Sequence, residues 1–241
     1  PSLWVSGTVQ GTTRELVDNL WSDLARFEHP ETSQPTHEAS KNYNRGCDTL
    51  DSAEKNSGHS KTELLFESVA EFRKALRADP NYAPSHERLG TALLLLGYDS
   101  AAAYEFKQAL RLQPNTHDTL ISLAKALGSI PDFKEAEQSV REALRIFPDN
   151  TKDHLLLADL FFRERDYPAA IAEYSEAVRL QPEDSESRSN LGRAYYRNHQ
   201  MQKAEAAFRE AIRIKPDDTI AMQWLGSTLN APAMVLPLIR P

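Results

Sequence analysis

FRKALRADP occupies residues 72–80. The phrase returns as FKQALRLQP at 106–114, VREALRIFP at 140–148, YSEAVRLQP at 174–182 and FREAIRIKP at 208–216. Its closing proline stands at 80, 114, 148, 182 and 216, each 34 residues after the one before. A fixed period of this length marks a repeat architecture, in which each unit buries its apolar face only by stacking on a neighbour. Other columns keep the same step. Small residues recur as Ala75, Ala109, Ala143, Ala177 and Ala211, and again as Ala102, Ala136, Ala170 and Ala204. A third small column reads Gly90, Ala124, Ala158, Gly192 and Gly226. The large apolar columns are Leu89, Leu123, Leu157, Leu191 and Leu225, and Phe72, Phe106, Val140, Tyr174 and Phe208.

Inside one unit the apolar spacing is helical. His154, Leu157, Ala158 and Phe161 share a face at i, i+3, i+4 and i+7, and Ala170, Tyr174, Ala177 and Val178 repeat the pattern. The stretch Glu164-Arg165-Asp166-Tyr167-Pro168 breaks the run, and Pro168 suits the first position of a new helix. Pro182 ends that helix, because a residue preceding proline avoids the α region. Each unit is therefore two antiparallel helices joined by a tight turn. The small columns permit close approach of helix axes while Leu, Phe or Tyr fills the facing groove. A large side chain at Ala136 or Ala170 is expected to overpack the pair, at about 1–3 kcal/mol.

These columns resemble the tetratricopeptide repeat. The family's pattern is present as Leu191-Gly192, Tyr195, Ala204, Phe208, Ala211 and Pro216. The resemblance implies an all-α fold, a right-handed superhelical solenoid of helix-turn-helix repeats. Four full units fit without insertion, at 83–116, 117–150, 151–184 and 185–218. Residues 219–230 then read as a terminal capping helix, and residues 231–241 as an extended, proline-containing tail. The departures are mild. The bulky residue early in the first helix is His86, Leu120, His154, Arg188 or Met222, and Pro131 falls in an inter-helix turn.

The N-terminal quarter is less regular. Ser60-Lys61-Thr62-Glu63 reads as a capping box ahead of a helix over 64–78. Residues 39–55 supply either the first helix of a degenerate repeat, with Gly46 in the small column and a longer turn around 56–60, or a loop. Arg45 and Thr49 stand where that repeat would want Leu and an aromatic. Residues 39–82 are thus a degenerate or half repeat. Residues 1–38 form an arm: Thr12-Thr13-Arg14-Glu15 caps an amphipathic helix over 14–27, followed by a polar linker with Pro30 and Pro35. Trp4, Trp21, Leu24 and Phe27 of this arm either pack within the chain or dock on a partner.

Composition narrows the function. The 241 residues carry a net charge of −7, the wrong sign for a general nucleic-acid binder. The longest mostly apolar run, near 91–96, is far shorter than the roughly 20 residues that span a bilayer. Cys47 is the only cysteine, so no intramolecular disulfide is possible, which fits a reducing compartment such as the cytoplasm or an organelle interior. The sequence opens on Pro1 with no apolar leader, which suits a processed chain and a fragment equally. Nucleophile-elbow, P-loop, dinucleotide and zincin motifs are all lacking, so no enzyme, no cofactor and no metal is expected. His86 and His154 occupy equivalent repeat positions and read as structural. Glu183-Asp184 and Asp217-Asp218 follow repeat prolines and read as helix caps.

Function is then expected from surface. In the family that the repeats resemble, first helices line a groove that holds an extended peptide or a partner helix. The non-core residues of those helices give the groove candidates Arg88, Lys125, Asp159, Phe162, Arg163, Asn190, Arg193, Tyr196 and Arg197. Trp224 lies on the same face of the last helix. The C-terminal half of this set is basic and aromatic, suited to a partner segment with carboxylates and an apolar anchor. Some relatives carry a clamp for the acidic tail of chaperones; here Lys152 fits it in one register and Asn190 in another, so that ligand is not expected. The expected function is a non-catalytic protein-interaction scaffold or adaptor. Two alternatives stay open: a structural subunit of a larger assembly held by its terminal arms, and a regulatory or substrate-binding domain of a larger enzyme.

Overall fold

The computed structural model of the chain describes residues 36–130 and 132–230. The residues 14–27 assigned to an arm helix, with Trp4, Trp21, Leu24 and Phe27, and the tail at 231–241 lie outside them. Among the described residues there are α-helices and no strands. They run α1 (His37–Glu54), α2 (Gly58–Ala78), α3 (Ala83–Leu95), α4 (Asp99–Leu112), α5 (His117–Ser129) and α6 (Phe133–Ile146). Then come α7 (Thr151–Glu164), α8 (Tyr167–Leu180), α9 (Ser185–Arg197), α10 (Met201–Ile214) and α11 (Thr219–Leu229). The described residues form two compact units, divided between Ser85 and His86.

In the first unit α1 packs on α2. The segment that the sequence left open between helix and loop is therefore helical over most of its length. Its buried stripe is Ala39, Asn42, Gly46, Leu50 and Ala53. Arg45 and Thr49 do not weaken this stripe, because Leu50 and Ala53 carry the burial one position further round the helix. Thr49 returns its hydroxyl to the Arg45 carbonyl at 2.8 Å. Tyr43 adds an edge-on contact with Tyr82, ring centroids 5.2 Å apart. The expected capping box at Ser60 is not used. The helix starts earlier, at Gly58, so Ser60 and Glu63 lie inside it, and the turn from α1 is short. Gly58 has φ +66°, a left-handed conformation open to glycine at little cost, and it redirects the chain two residues ahead of that box.

In the second unit each helix from α4 onward packs on the next in sequence. The repeated columns are its core: Ala102, Ala136, Ala170 and Ala204 are all 0% exposed, as are Phe106, Val140 and Phe208, with Tyr174 at 1%. The small column works by direct contact. A Cβ built on Gly192 would lie 2.6 Å from the Phe208 ring, and one on Gly90 would lie 2.8 Å from Phe106. The first unit repeats the arrangement, with Gly46 against Phe72 at 2.6 Å. Glycine thus stands where the facing column carries phenylalanine.

The turns also repeat. Gly97, Arg165 and His199, spaced at the repeat period, all have positive φ (80°, 67° and 58°). Pro131 occupies the same column in sequence, and there α5 ends on an extended residue, Ile130 (φ −87°, ψ 138°). Proline cannot take the left-handed conformation, so this hairpin needs a different turn. At the helix starts, Asp184 accepts from the Ser187 amide at 2.9 Å and Asp218 from the Ala221 amide at 2.9 Å. Of the two acidic pairs, the second member of each is the cap.

Candidate functional site

The face shared by α7, α9 and α11 collects aromatic and basic side chains that lie off the core columns. Each projects from a first helix at positions that the core columns leave free. Arg193 of α9 lies at the centre. Its guanidinium stacks 5.1 Å from the Phe162 ring of α7 and 5.8 Å from the Trp224 ring of α11. One successive repeat thus supplies each layer of an aromatic–cation–aromatic stack. Arg197, one turn further along α9, lies 5.6 Å from the same Trp224 ring. Tyr196 meets Trp224 edge-on, with centroids 5.3 Å apart. Phe162 is supported on its other side by Tyr167, 5.5 Å away.

A hydrogen bond holds the central arginine. Arg193 Nη1 donates to Asn190 Oδ1 at 2.9 Å. Its Nε is buried and has no hydrogen-bond partner. Beneath the stack, the Tyr174 hydroxyl donates to Asp159. Burial first, then the Asp159 charge and hydrogen bond, push the Tyr174 phenol far above its ordinary range, while the Arg193 charge pulls the other way. Asp159 is thereby committed to the α7–α8 contact.

The structure brings together Phe162, Asn190, Arg193, Tyr196 and Arg197 from the sequence candidates. It sets Arg163 apart, with its guanidinium 5.0 Å from the Phe133 ring of α6. Arg88 and Lys125 are exposed on earlier first helices. Trp224 and Tyr167 belong to the cluster. The sequence signal for Trp224 was its place on the non-core face of the last helix. Tyr167 opens α8, a second helix, and carried no comparable signal.

The histidines that might have held a metal are engaged with carboxylates. His86 Nδ1 is 2.6 Å from Glu105 Oε2, and His154 Nδ1 is 2.7 Å from Glu173 Oε2, the same pair two repeats later. His154 Nε2 also reaches the Pro148 carbonyl at 2.9 Å. His117 Nε2 lies 2.6 Å from Asp153 Oδ2, tying the start of α5 to α7. Burial opposes the protonation of His117 and His154. Hydrogen bonds to Asp153 and Asp118, and to Glu173 and the Pro148 carbonyl, outweigh it and raise both above ordinary imidazole. Among the described residues no group of three or more His, Cys, Asp or Glu is placed to hold a metal ion. Among them, too, no helix is long and apolar enough to cross a membrane.

Residues 155–219 match the family model for the tetratricopeptide repeat. No curated protein sequence matches the chain. Solved structures share its fold. MamA from Desulfovibrio magneticus RS-1, residues 41 to its end, aligns with TM-score 0.68 at 19% identity, over 77% of this chain and 99% of that one. A second MamA structure gives TM-score 0.67 at 16% identity, over 74% and 92%. YrrB, described as a TPR protein with an unusual peptide-binding site, gives TM-score 0.62 at 20% identity, over 76% and 93%. At these identities the likeness is one of fold. The family match itself extends over residues 155–219, and the 34-residue columns on either side build hairpins of the same kind.

Proposed function

We propose that the chain is a non-catalytic protein-interaction scaffold, and that the face of α7, α9 and α11 receives a partner segment carrying carboxylates beside an apolar anchor. One observation carries this reading: the stack of Phe162, Arg193 and Trp224, with Arg197 on its edge. Every member lies off the repeated core columns, although Trp224 also packs on the Ala204, Phe208, Ala211 and Ala221 core. An arginine sandwiched between rings is held flat, which lowers the entropy lost when its free edge grips a carboxylate. Tyr196 and Trp224 supply apolar area with a polar handle, the combination enriched at interface centres. YrrB, which shares the fold, is a peptide-binding protein by its description, and this favours a peptide segment over a small molecule.

The test is selection of random peptides displayed on phage against the folded chain, followed by binding titrations of the enriched sequences. The expected peptides pair Asp or Glu with an aromatic or large aliphatic residue. Arg197→Glu, at an exposed position, should weaken them at least about tenfold, roughly 1.4 kcal/mol. Enriched peptides without carboxylates, or binding indifferent to Arg197→Glu, overturn the reading.

A further inference from the structure

Arg163 stands outside the stack, yet it is held in the same manner as the arginines within it. Its guanidinium lies 5.0 Å from the Phe133 ring, as that of Arg197 lies 5.6 Å from Trp224. Both arginines are exposed, and among the described residues neither has an ion pair or a hydrogen bond. Arginines of the second helices are neutralised instead. Arg141 meets Glu137 at 2.9 Å, Arg179 meets Glu176 at 2.6 Å and Arg213 meets Glu210 at 3.0 Å. In a chain of net charge −7, the ring-stacked arginines thus keep their donors for something outside the fold.

A glycine places the head of Arg163. Gly128 of α5, Phe162 of α7 and Tyr196 of α9 stand in one repeat column. A Cβ built on Gly128 would lie 3.6 Å from Arg163 Nη1 and 3.0 Å from Leu160 Cδ2. The guanidinium therefore lies over α5, at the place where the next two units carry aromatic rings. The preceding unit has Leu94 in this column, and a side chain of that size at position 128 would take the space of the guanidinium. First helices of successive units are neighbours: Gly128 and Leu160 join α5 to α7, and Phe162 and Arg193 join α7 to α9. Neighbouring helix axes lie about 8–10 Å apart, so two steps separate the Arg163 head from Arg197 by about 16–20 Å. An extended chain advances about 3.3 Å per residue and covers that distance in about five or six residues.

We propose, resting on the partner reading above, that Arg163 is a second acidic subsite of the same face. An extended partner segment places one carboxylate on Arg197 and another on Arg163, about six residues along, with its apolar anchor against Tyr196 and Trp224. Phe133 is the positioning residue of this subsite, since its ring holds the guanidinium flat. The partner is then selected by the spacing of its acidic residues as well as by their presence.

Fluorescence anisotropy with labelled synthetic peptides tests this on the full chain. Each peptide carries Asp-Trp-Asp, a Gly-Ser spacer and one distal Asp three, six or nine residues away, in both chain directions; a control has Asn in the distal place. The six-residue spacing should bind at least about fivefold tighter than the control, in the range of a charge-assisted bond. Arg163→Glu should abolish that advantage and leave binding of the control unchanged, which also shows that the variant is folded. Phe133→Leu should reduce the advantage without affecting the control. A distal Asp that adds nothing at six residues, or whose advantage survives Arg163→Glu, overturns the second subsite. Equal weakening of control and spaced peptides by Arg163→Glu is a general effect of charge or fold and overturns it too. In each of these cases, continued sensitivity of the control to Arg197→Glu leaves the partner reading standing. Indifference of every peptide to Arg197→Glu, or no binding at all, overturns both.

Discussion

Replacing Gly192 with alanine tests the account of how the repeats pack. Two effects oppose each other. Alanine is better than glycine inside a helix by about 1 kcal/mol. The added Cβ, however, would lie 2.6 Å from Cε1 of Phe208, a ring that is 0% exposed and has no room to withdraw. Forcing one extra carbon into such a core costs about 1–3 kcal/mol. The net expectation is a loss of about 0–2 kcal/mol, localised to the α9–α10 hairpin. The double-mutant cycle separates the two effects. In a Phe208→Leu background the ring is gone, and Gly192→Ala should then stabilise the hairpin by up to about 1 kcal/mol. Native-state hydrogen exchange of the α9 and α10 amides reads both effects, because repeats open locally. If Gly192→Ala stabilises the wild-type hairpin by the full helix-propensity gain, or shifts both backgrounds equally, the glycine–phenylalanine contact does not govern the packing.

Four further outcomes follow from particular contacts. Arg165→Gly and His199→Gly relieve left-handed backbone and should each raise stability by about 0.5–1 kcal/mol in urea titrations. Asp218→Ala removes the cap on Ala221 and the bonds from Ser185 (2.7 Å) and Ser189 (3.1 Å), and should cost about 1–3 kcal/mol. Although burial opposes it, these bonds hold the Asp218 carboxyl below its usual range, so its contribution is present above about pH 4 and fades as pH falls through the lowered value. His117 and His154 are raised in the folded chain, so their stabilisation is full below about pH 6.5 and is lost as pH rises through the folded values. Thermal melts of His117→Gln and His154→Gln should therefore differ from wild type more at pH 6 than at pH 8.5.

What the sequence made legible was whatever recurs. A residue that returns every 34 positions is constrained by the same neighbour each time, and the glycine–phenylalanine contacts show the constraint directly. The start of α2 was misread because a capping box is local grammar, and Gly58 settles the helix start with its backbone conformation before that grammar applies. The site candidates were legible in another way, by subtraction: once the repeated columns are assigned to the core, Arg193 and Trp224 are left over on one face. Subtraction cannot give distances. Arg163 and Arg197 stand in the same repeat column, 34 residues apart, yet Arg197 lies over Trp224 of α11 while Arg163 lies over Phe133 of α6. The difference comes from which aromatic residue each neighbourhood offers, a non-local fact that a period cannot encode. The same division governs function. The repeated residues must satisfy the hairpin and have little freedom to specialise. A partner can be distinguished only through side chains that the repeat leaves free, and in the described residues the densest group of these is the Phe162, Arg193, Tyr196, Arg197 and Trp224 cluster.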